Sequence, residues 1–148
     1  MTDNAPSSVH ASAVLAGARA VLIRGPAGSG KSHLALAIIE AAQRGLLRFA
    51  RLVGDDRVHL EACNGRLLVR PADALAGLIE VRGLGIRRLD HEPHAVVGLI
   101  VDLAARDAER MPGPGEATIC GIPLPRLAIA PRVEPLPALL AALTTQAR

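Results

Sequence analysis

Eight residues near the N-terminus constrain this chain more than any other feature, because they match a phosphate-binding pattern. Residues 25–32 read GPAGSGKS, which satisfies G-x-x-x-x-G-K-[ST]. The apolar run 20–23 precedes the motif, and a helix-like segment, 33–43, follows it. A strand, a glycine-rich loop and a helix in this order form the context in which the pattern binds phosphate. The chain is therefore predicted to bind a nucleotide or another polyphosphate.

Each residue type of the motif has a chemical reason to be there. Glycines let the backbone curl so that successive N–H groups point at an anion beside a helix N-terminus. Lys31 is expected to reach the β- and γ-phosphates, and the Ser32 hydroxyl is expected to ligate Mg²⁺. The predicted phosphate-binding residues are Gly25, Pro26, Ala27, Gly28, Ser29, Gly30, Lys31 and Ser32.

Composition limits the remaining classes of fold and partner. The 148 residues suffice for one domain, and Phe49 is the only aromatic residue, so the core is predicted to be aliphatic. A net charge of +3 with scattered arginines and no Trp or Tyr argues against a nucleic-acid surface. No apolar stretch has the length of a membrane span, so a cytoplasmic protein is predicted. Cys63 and Cys120 lack metal-binding spacing and are expected to be buried or partly buried thiols.

Strand-like runs outnumber helices after the phosphate-binding motif. Residues 1–8 are predicted to be a flexible leader, and residues 9–148 a single P-loop domain. Asn64-Gly65 predicts a hairpin turn. Helices are expected over 71–78 and 137–146. This order predicts an α/β domain built around a mixed, twisted β-sheet.

Two adjacent carboxylates, Asp55 and Asp56, follow the apolar run 51–54. Carboxylates this close repel each other unless a metal or another cation neutralises them. One of them could accept a proton from a substrate hydroxyl while the other helps to hold metal or orients its neighbour. A polar turn that opens the next hairpin explains the same pattern without any chemistry.

Two further segments contain candidate residues. His10 is expected on a strand that pairs beside the P-loop strand. In the run 80–86, which reads EVRGLGI, Glu80 is a candidate Mg²⁺ ligand and Arg82 a candidate contact for phosphate oxygens. A twisted edge strand with a surface ion pair explains that run equally well.

Arg110 and Asp102 are weaker candidates. Arg110 precedes a Pro/Gly-rich loop, 111–115, and is either a mobile contact to a transferring phosphoryl group or a solvated position. Asp102 closes an apolar run in the manner of a Walker B acid, although such runs are common.

Taken in order, these elements resemble the catalytic domain of the HPr kinase/phosphorylase family of bacterial phosphotransferase systems. The family has a histidine ahead of its P-loop, where His10 stands, and two aspartates after it. The run 80–86 is similar to the family signature and is the most specific match, and residues 122–129 resemble a late strand region of the family. The resemblance extends from His10 to about Ala142.

The resemblance implies a fold, an activity and a set of roles. The fold is the phosphoenolpyruvate carboxykinase-like fold of HPr kinase catalytic domains. The activity is transfer of phosphate from ATP, with Mg²⁺, to a regulatory serine of the carrier protein HPr, and its reversal by inorganic phosphate to give pyrophosphate. Asp56 is the favoured base, tuned by Asp55 and His10, and Ser32 and Glu80 hold Mg²⁺. The implied catalytic residues are His10, Lys31, Asp55, Asp56 and Arg110.

The chain departs from the family pattern in ways that qualify these expectations. It has the form of a short member that consists of the catalytic domain, and its segment between Ser32 and Asp55 is longer than usual. Residues 130–135 replace a late family motif tied to dephosphorylation, so altered or lost phosphorolysis is expected. The C-terminal extension that helps to dock HPr is curtailed at Arg148, which leaves docking and the family's hexameric assembly open.

Two other functions are compatible with the sequence. The first is a P-loop nucleotide sensor or regulatory protein without protein kinase activity. The second is a small-molecule kinase that uses Asp102 as its Walker B acid.

Overall fold

A computed structural model of the chain describes residues 7–147. Within them, thirteen strands and helices follow one another in chain order. They are β1 (Ser7–His10), β2 (Ser12–Ala16), β3 (Arg19–Arg24), α1 (Lys31–Gln43), β4 (Ala50–Gly54), β5 (Arg57–Cys63), β6 (Arg66–Pro71), β7 (Leu78–Val81), β8 (Gly85–Arg88), β9 (Ala95–Asp102), β10 (Glu116–Ile119), β11 (Ile122–Ala128) and α2 (Pro135–Thr144).

Nine of these strands form one mixed sheet. Seven follow the order β1-β5-β6-β9-β3-β2-β4, while β11 pairs with β9 and β10 pairs with β11. The pairs β3–β9 and β9–β11 are parallel, and the other strand pairs of this sheet are antiparallel. The strands β7 and β8 form a separate antiparallel hairpin. The predicted α/β domain with a mixed sheet is confirmed.

The P-loop strand β3 lies inside the sheet and is buried on both faces. Ala20 and Leu22 belong to a cluster made by the strands, whereas Val21 and Ile23 belong to a second cluster that includes both helices. Opposite faces alternate along the strand because successive side chains of an extended chain point to opposite sides. From α1 the buried residues are Leu34, Ala35, Ile38, Ile39 and Ala41. Phe49 is 38% exposed, so the core is aliphatic, as predicted.

Local signals placed the first helix and the central hairpin correctly. The helix predicted over 33–43 is observed as α1, and Gly45, at φ 80°, follows its end. The N–H of Leu46 donates to the carbonyl of Ala41 there, as in a helix that ends on a left-handed glycine. Asn64 and Gly65 both have positive φ and join β5 to β6.

Three expectations were wrong in local structure. The segment 71–78 is not a helix, because β6 continues to Pro71 and only a 3-10 turn, Asp73–Leu75, follows. Cys63 and Cys120 are exposed, since Cys63 ends β5 beside a turn and Cys120 lies in the turn between β10 and β11. Residues 1–6 of the predicted leader lie outside the described residues, but its last two residues, 7 and 8, belong to β1.

The expected position of His10 also needs correction. Its strand β1 pairs with β5, where His10 lies opposite Arg57, and not with the P-loop strand. The extended segment is interrupted at Ala11, which separates β1 from β2, and β2 is the strand that pairs with β3. Strand β2 occupies the place beside the P-loop strand that was expected for His10.

Among the described residues, no helix is long and apolar enough to cross a membrane.

Candidate phosphate-binding and catalytic site

The loop between β3 and α1 has no room for larger residues at its first position. A Cβ atom added to Gly25 would lie 2.5 Å from Oγ of Ser29 and 3.1 Å from Cβ of Leu103. Gly28 and Gly30 have φ of 79° and 98°, the left-handed region that glycine enters without strain. The loop conformation therefore depends on glycine at these positions.

Lys31 and Ser29 give this loop a polar interior. The Nζ atom of Lys31 donates hydrogen bonds to the carbonyls of Gly25 at 2.8 Å and Pro26 at 3.2 Å. Oγ of Ser29 is buried and has no partner among the described residues. The first turn of α1 contains no acidic residue, so the positive end of its dipole is not neutralised by its own side chains. A lysine, an unpaired hydroxyl and a helix N-terminus fit a phosphate chain.

The hydroxyl of Ser32 is bonded to the first of the two adjacent aspartates. Its Oγ lies 2.7 Å from Oδ1 and 2.8 Å from Oδ2 of Asp55. Asp55 is only 3% exposed, and it also accepts hydrogen bonds from Oγ of Ser12 at 2.6 Å and from the N–H of Glu80 at 3.1 Å. The end of β4, the start of α1 and the hairpin strand β7 therefore meet at one carboxylate.

This arrangement fits a magnesium site completed by phosphate and water. A hydroxyl has one proton and two lone pairs, so Ser32 can donate to Asp55 and still offer oxygen to a cation. The hydrogen bond from the backbone N–H of Glu80 to Asp55 brings Glu80 next to the same carboxylate. The described residues contain no group of three or more His, Cys, Asp or Glu side chains suited to a metal. Magnesium tolerates such a site, because it usually keeps waters and takes phosphate oxygens beside one or two protein ligands.

Asp56 differs from its neighbour in exposure and backbone conformation. Its side chain is exposed, and its φ is 69°, a left-handed conformation that is uncommon for residues other than glycine. Such conformations persist where the surrounding structure imposes them, and they cluster at functional sites. Both aspartates line a cavity of about 340 Å³, whose other lining residues are Leu75, Leu78, Ile79, Glu80 and Ile86.

His10 is bonded to the residue that follows the aspartate pair. Nη2 of Arg57 lies 2.8 Å from Nε2 of His10, and Nη1 of Arg57 donates to Oγ of Ser8 at 3.2 Å. Since β1 pairs with β5, this contact sits at the beginning of β5, next to the turn that contains Asp56. His10 is therefore paired with the residue that directly follows the two aspartates, and its described hydrogen bond goes to that residue, Arg57.

Asp102 is neutralised by arginines. Nε and Nη2 of Arg24 donate to its two oxygens at 2.7 and 2.8 Å, and Nε of Arg126 donates to Oδ2. Burial would raise the pKa of Asp102, but the hydrogen bonds and charges of the two arginines hold that pKa below its ordinary value of 3.8. Arg126 also bonds Asp107, which lowers the pKa of that exposed carboxyl as well. A carboxylate whose two oxygens are bonded to arginines stabilises the fold, and this disfavours the interpretation of Asp102 as a Walker B acid.

Arg82 and Arg110 do not join the contacts around Asp55. Arg82 is exposed in the turn between β7 and β8, and Arg110 is exposed in the loop between β9 and β10. Sequence reasoning missed Ser12, whose hydroxyl contacts Asp55. The signal that could have found it is a polar residue between Ala11 and Ala13 in a strand, because a buried hydroxyl requires a partner.

A central P-loop strand, a helix N-terminus and a P-loop serine paired with a buried carboxylate define a P-loop protein with a mixed sheet. Comparison with known proteins gives the family. Residues 4–92, more than half of the chain, match the family model of the HPr serine kinase C-terminal domain. The chain belongs to this family.

Individual relatives agree with this assignment. An HPr kinase/phosphorylase of Streptococcus thermophilus is 42% identical over 81 residues, which are 54% of this chain and 24% of that protein. An HPr kinase/phosphorylase of Clostridium beijerinckii is 42% identical over 66 residues, 45% of this chain and 20% of that protein. The matched segments thus span about a quarter or less of these curated relatives.

The fold is also that of a solved relative. The Hpr(Ser) kinase/phosphatase of Coxiella burnetii superimposes with a TM-score of 0.73 at 28% identity, covering 93% of each chain. The predicted fold, that of HPr kinase catalytic domains, is thereby confirmed.

Proposed function

We propose that this protein is an ATP- and Mg²⁺-dependent kinase that phosphorylates a serine of the carrier protein HPr in the cytoplasm. The observation that carries the proposal is the bond between the P-loop hydroxyl of Ser32 and the buried carboxylate of Asp55, with Asp56 beside it on a cavity. A protein that only binds nucleotide has no need of a second, exposed carboxylate held at φ 69° next to this pair. Family membership supports the same reaction.

The chain's own residues divide the work of phosphoryl transfer. The loop amides and Lys31 hold the phosphates, with Arg82 as a further contact to their oxygens. Ser32 and Glu80 are the residues that would hold Mg²⁺, which would neutralise charge on the phosphates. Positioning and charge neutralisation supply most of the rate in such reactions.

Asp56 is the proposed base. It accepts the proton of the serine hydroxyl while the bond from serine oxygen to phosphorus forms and the bond to the departing ADP breaks. Its exposure leaves it accessible to a protein substrate, whereas the oxygens of Asp55 are already engaged by three donors. Arg110, on its exposed loop, is proposed to contact the transferring phosphoryl group, and His10 is proposed to position the aspartates.

The same groups can serve the reverse reaction. An oxygen of inorganic phosphate would form a bond to the phosphorus of the phosphoserine while the bond from that phosphorus to the serine oxygen breaks. Asp56 would return a proton to the serine oxygen, and pyrophosphate would leave. Because residues 130–135 differ from the family motif, we propose that this reversal is weakened relative to the forward reaction.

The direct test is transfer of label from γ-labelled ATP to purified HPr in the presence of Mg²⁺. The control is HPr without its regulatory serine. Serine-dependent labelling supports the kinase, and addition of phosphate then measures reversal. Intact nucleotide binding without labelling would contradict the proposal and favour a nucleotide sensor.

A further inference from the structure

Ser12 is a buried hydroxyl that the proposed roles above do not include. It lies in β2 with 0% exposure, between Ala11 and Ala13, which are equally buried. Among the described residues, the buried polar or charged side chains are those of Ser12 and Asp55, and they bond each other at 2.6 Å. A hydroxyl at this depth destabilises the fold unless it is paired, so the pairing accounts for the serine.

We propose that Ser12 is a positioning residue for the metal site. It holds the Asp55 carboxylate in the orientation that turns the lone pairs of Ser32 toward Mg²⁺. This inference rests on the proposed function, because it assumes that Ser32 ligates a metal beside a bound nucleotide.

The hydrogen bonds of Asp55 explain how this works. Ser12 donates to Oδ1 and the N–H of Glu80 donates to Oδ2, so the carboxylate is fixed at both of its oxygens. Oγ of Ser32 lies 2.7 and 2.8 Å from these two oxygens and has one proton to give. With the carboxylate fixed, that proton points at Asp55 and the lone pairs point away from it.

Loss of the Ser12 hydroxyl would free one end of the carboxylate. Oδ1 would then keep only the Ser32 hydroxyl, whose single proton it shares with Oδ2, and the buried carboxylate would be free to rotate. The Ser32 proton would follow it, and the lone pairs would lose their direction. The loop amides and Lys31 do not depend on this bond, so the binding of the phosphates themselves would be unchanged.

The effect should therefore appear in metal dependence and not in nucleotide affinity as such. The full chain would be titrated with a non-hydrolysable ATP analogue by calorimetry, without metal and at increasing Mg²⁺. In Ser12→Ala and Ser12→Val, the Mg²⁺ concentration for half-maximal enhancement of binding should rise about tenfold, the effect of losing one bond to a charged group. Metal-free affinity should change by less than about twofold.

Ser12→Thr and Ser12→Val form the matched pair, because they have nearly the same shape and differ by the hydroxyl. Ser12→Thr should retain the metal dependence of the native protein. Thr118→Val, which removes an exposed hydroxyl from strand β10, is the surface control and should change neither quantity. Ser12→Ala introduces no extra volume and keeps the test valid if the valine variant fails to fold.

Three results would overturn the inference. They are an unchanged Mg²⁺ requirement in Ser12→Ala, an equal defect in Ser12→Thr and Ser12→Val, and an equal loss of affinity with and without metal. A native protein whose nucleotide binding ignores Mg²⁺ would instead contradict the proposed function, and the inference with it. Transfer to HPr is not measured, so failure of that step leaves the experiment interpretable.

Discussion

Arg57 donates a hydrogen bond from Nη2 to Nε2 of His10, across 2.8 Å between the paired strands β5 and β1. A guanidinium has five donors and no acceptor, so Nε2 of His10 must contribute its lone pair. The proton of the neutral ring is therefore on Nδ1. While this bond is present, Nε2 cannot accept a proton from a substrate, which favours a positioning role for His10.

The first prediction concerns the tautomer of His10. In its neutral state the ring should be the Nδ1–H form, because Nε2 accepts the bond from Arg57. Nitrogen NMR of labelled protein should show Nε2 as an unprotonated acceptor. Arg57→Leu should weaken this preference, because it removes the donor. An Nε2–H signal in the native protein would contradict the assignment.

The second prediction separates the two adjacent aspartates. Asp56→Asn should lower phosphoryl transfer to HPr by about 10²- to 10⁴-fold, because it removes the proposed base. Nucleotide binding should be retained. The free energy of unfolding should change by less than about 0.5 kcal/mol, since asparagine also tolerates the left-handed conformation. Denaturation and labelling assays measure these quantities, and unchanged transfer would exclude Asp56 as the base.

The third prediction concerns Asp102 and pH. The pKa of Asp102 is held below 3.8 by Arg24 and Arg126, so the unfolded chain binds a proton more readily than the folded protein. The stabilisation is therefore present above about pH 4 and lost as pH falls through the folded-state pKa. Asp102→Asn should lower the free energy of unfolding by about 1–3 kcal/mol at pH 7.

Urea denaturation at several pH values tests this, and the difference between native and variant protein should shrink below about pH 4. Asp73→Asn is the control, because that carboxylate is fully exposed and its ion pair is long, with 3.9 Å between its Oδ1 and Nη1 of Arg70. The Mg²⁺ dependence of nucleotide binding should be unchanged in Asp102→Asn. Loss of this Mg²⁺ dependence in the variant would show that Asp102 acts as a Walker B acid.

The fourth prediction concerns Gly54, the last residue of β4. A Cβ atom there would lie 2.7 Å from Cγ1 of Val58 and 3.1 Å from Cα of Pro71. Gly54→Ala should therefore destabilise the fold by about 1–3 kcal/mol and displace the adjoining Asp55. Gly113→Ala is the matched control, since its added methyl would meet nothing within 4 Å. Equal melting temperatures for the two variants would show that this contact does not constrain β4.

Much of the fold was predictable because its signals are local. The strand, loop and helix of the P-loop pattern, the end of that helix at Gly45 and the Asn64-Gly65 turn each depend on a few neighbouring residues, and each of these local structures was confirmed. The helix predicted over 71–78 was wrong, because a proline at the start of a helix and a proline at the end of a strand look alike in sequence. The partner strand of β1 could not be predicted either, because strand pairing depends on residues far away in the sequence.

The sequence by itself determined the glycine-rich loop between a strand and a helix, the aliphatic core and the candidate acids, because residue type and spacing indicate these directly. Only the tertiary structure decided the surroundings of each acid. It bonded Asp55 to Ser12 and Ser32, left Asp56 exposed, and neutralised Asp102 with Arg24 and Arg126. The physical reason is that a carboxylate's role follows from its burial and its donors, and here these donors come from strands and helices far apart in the chain.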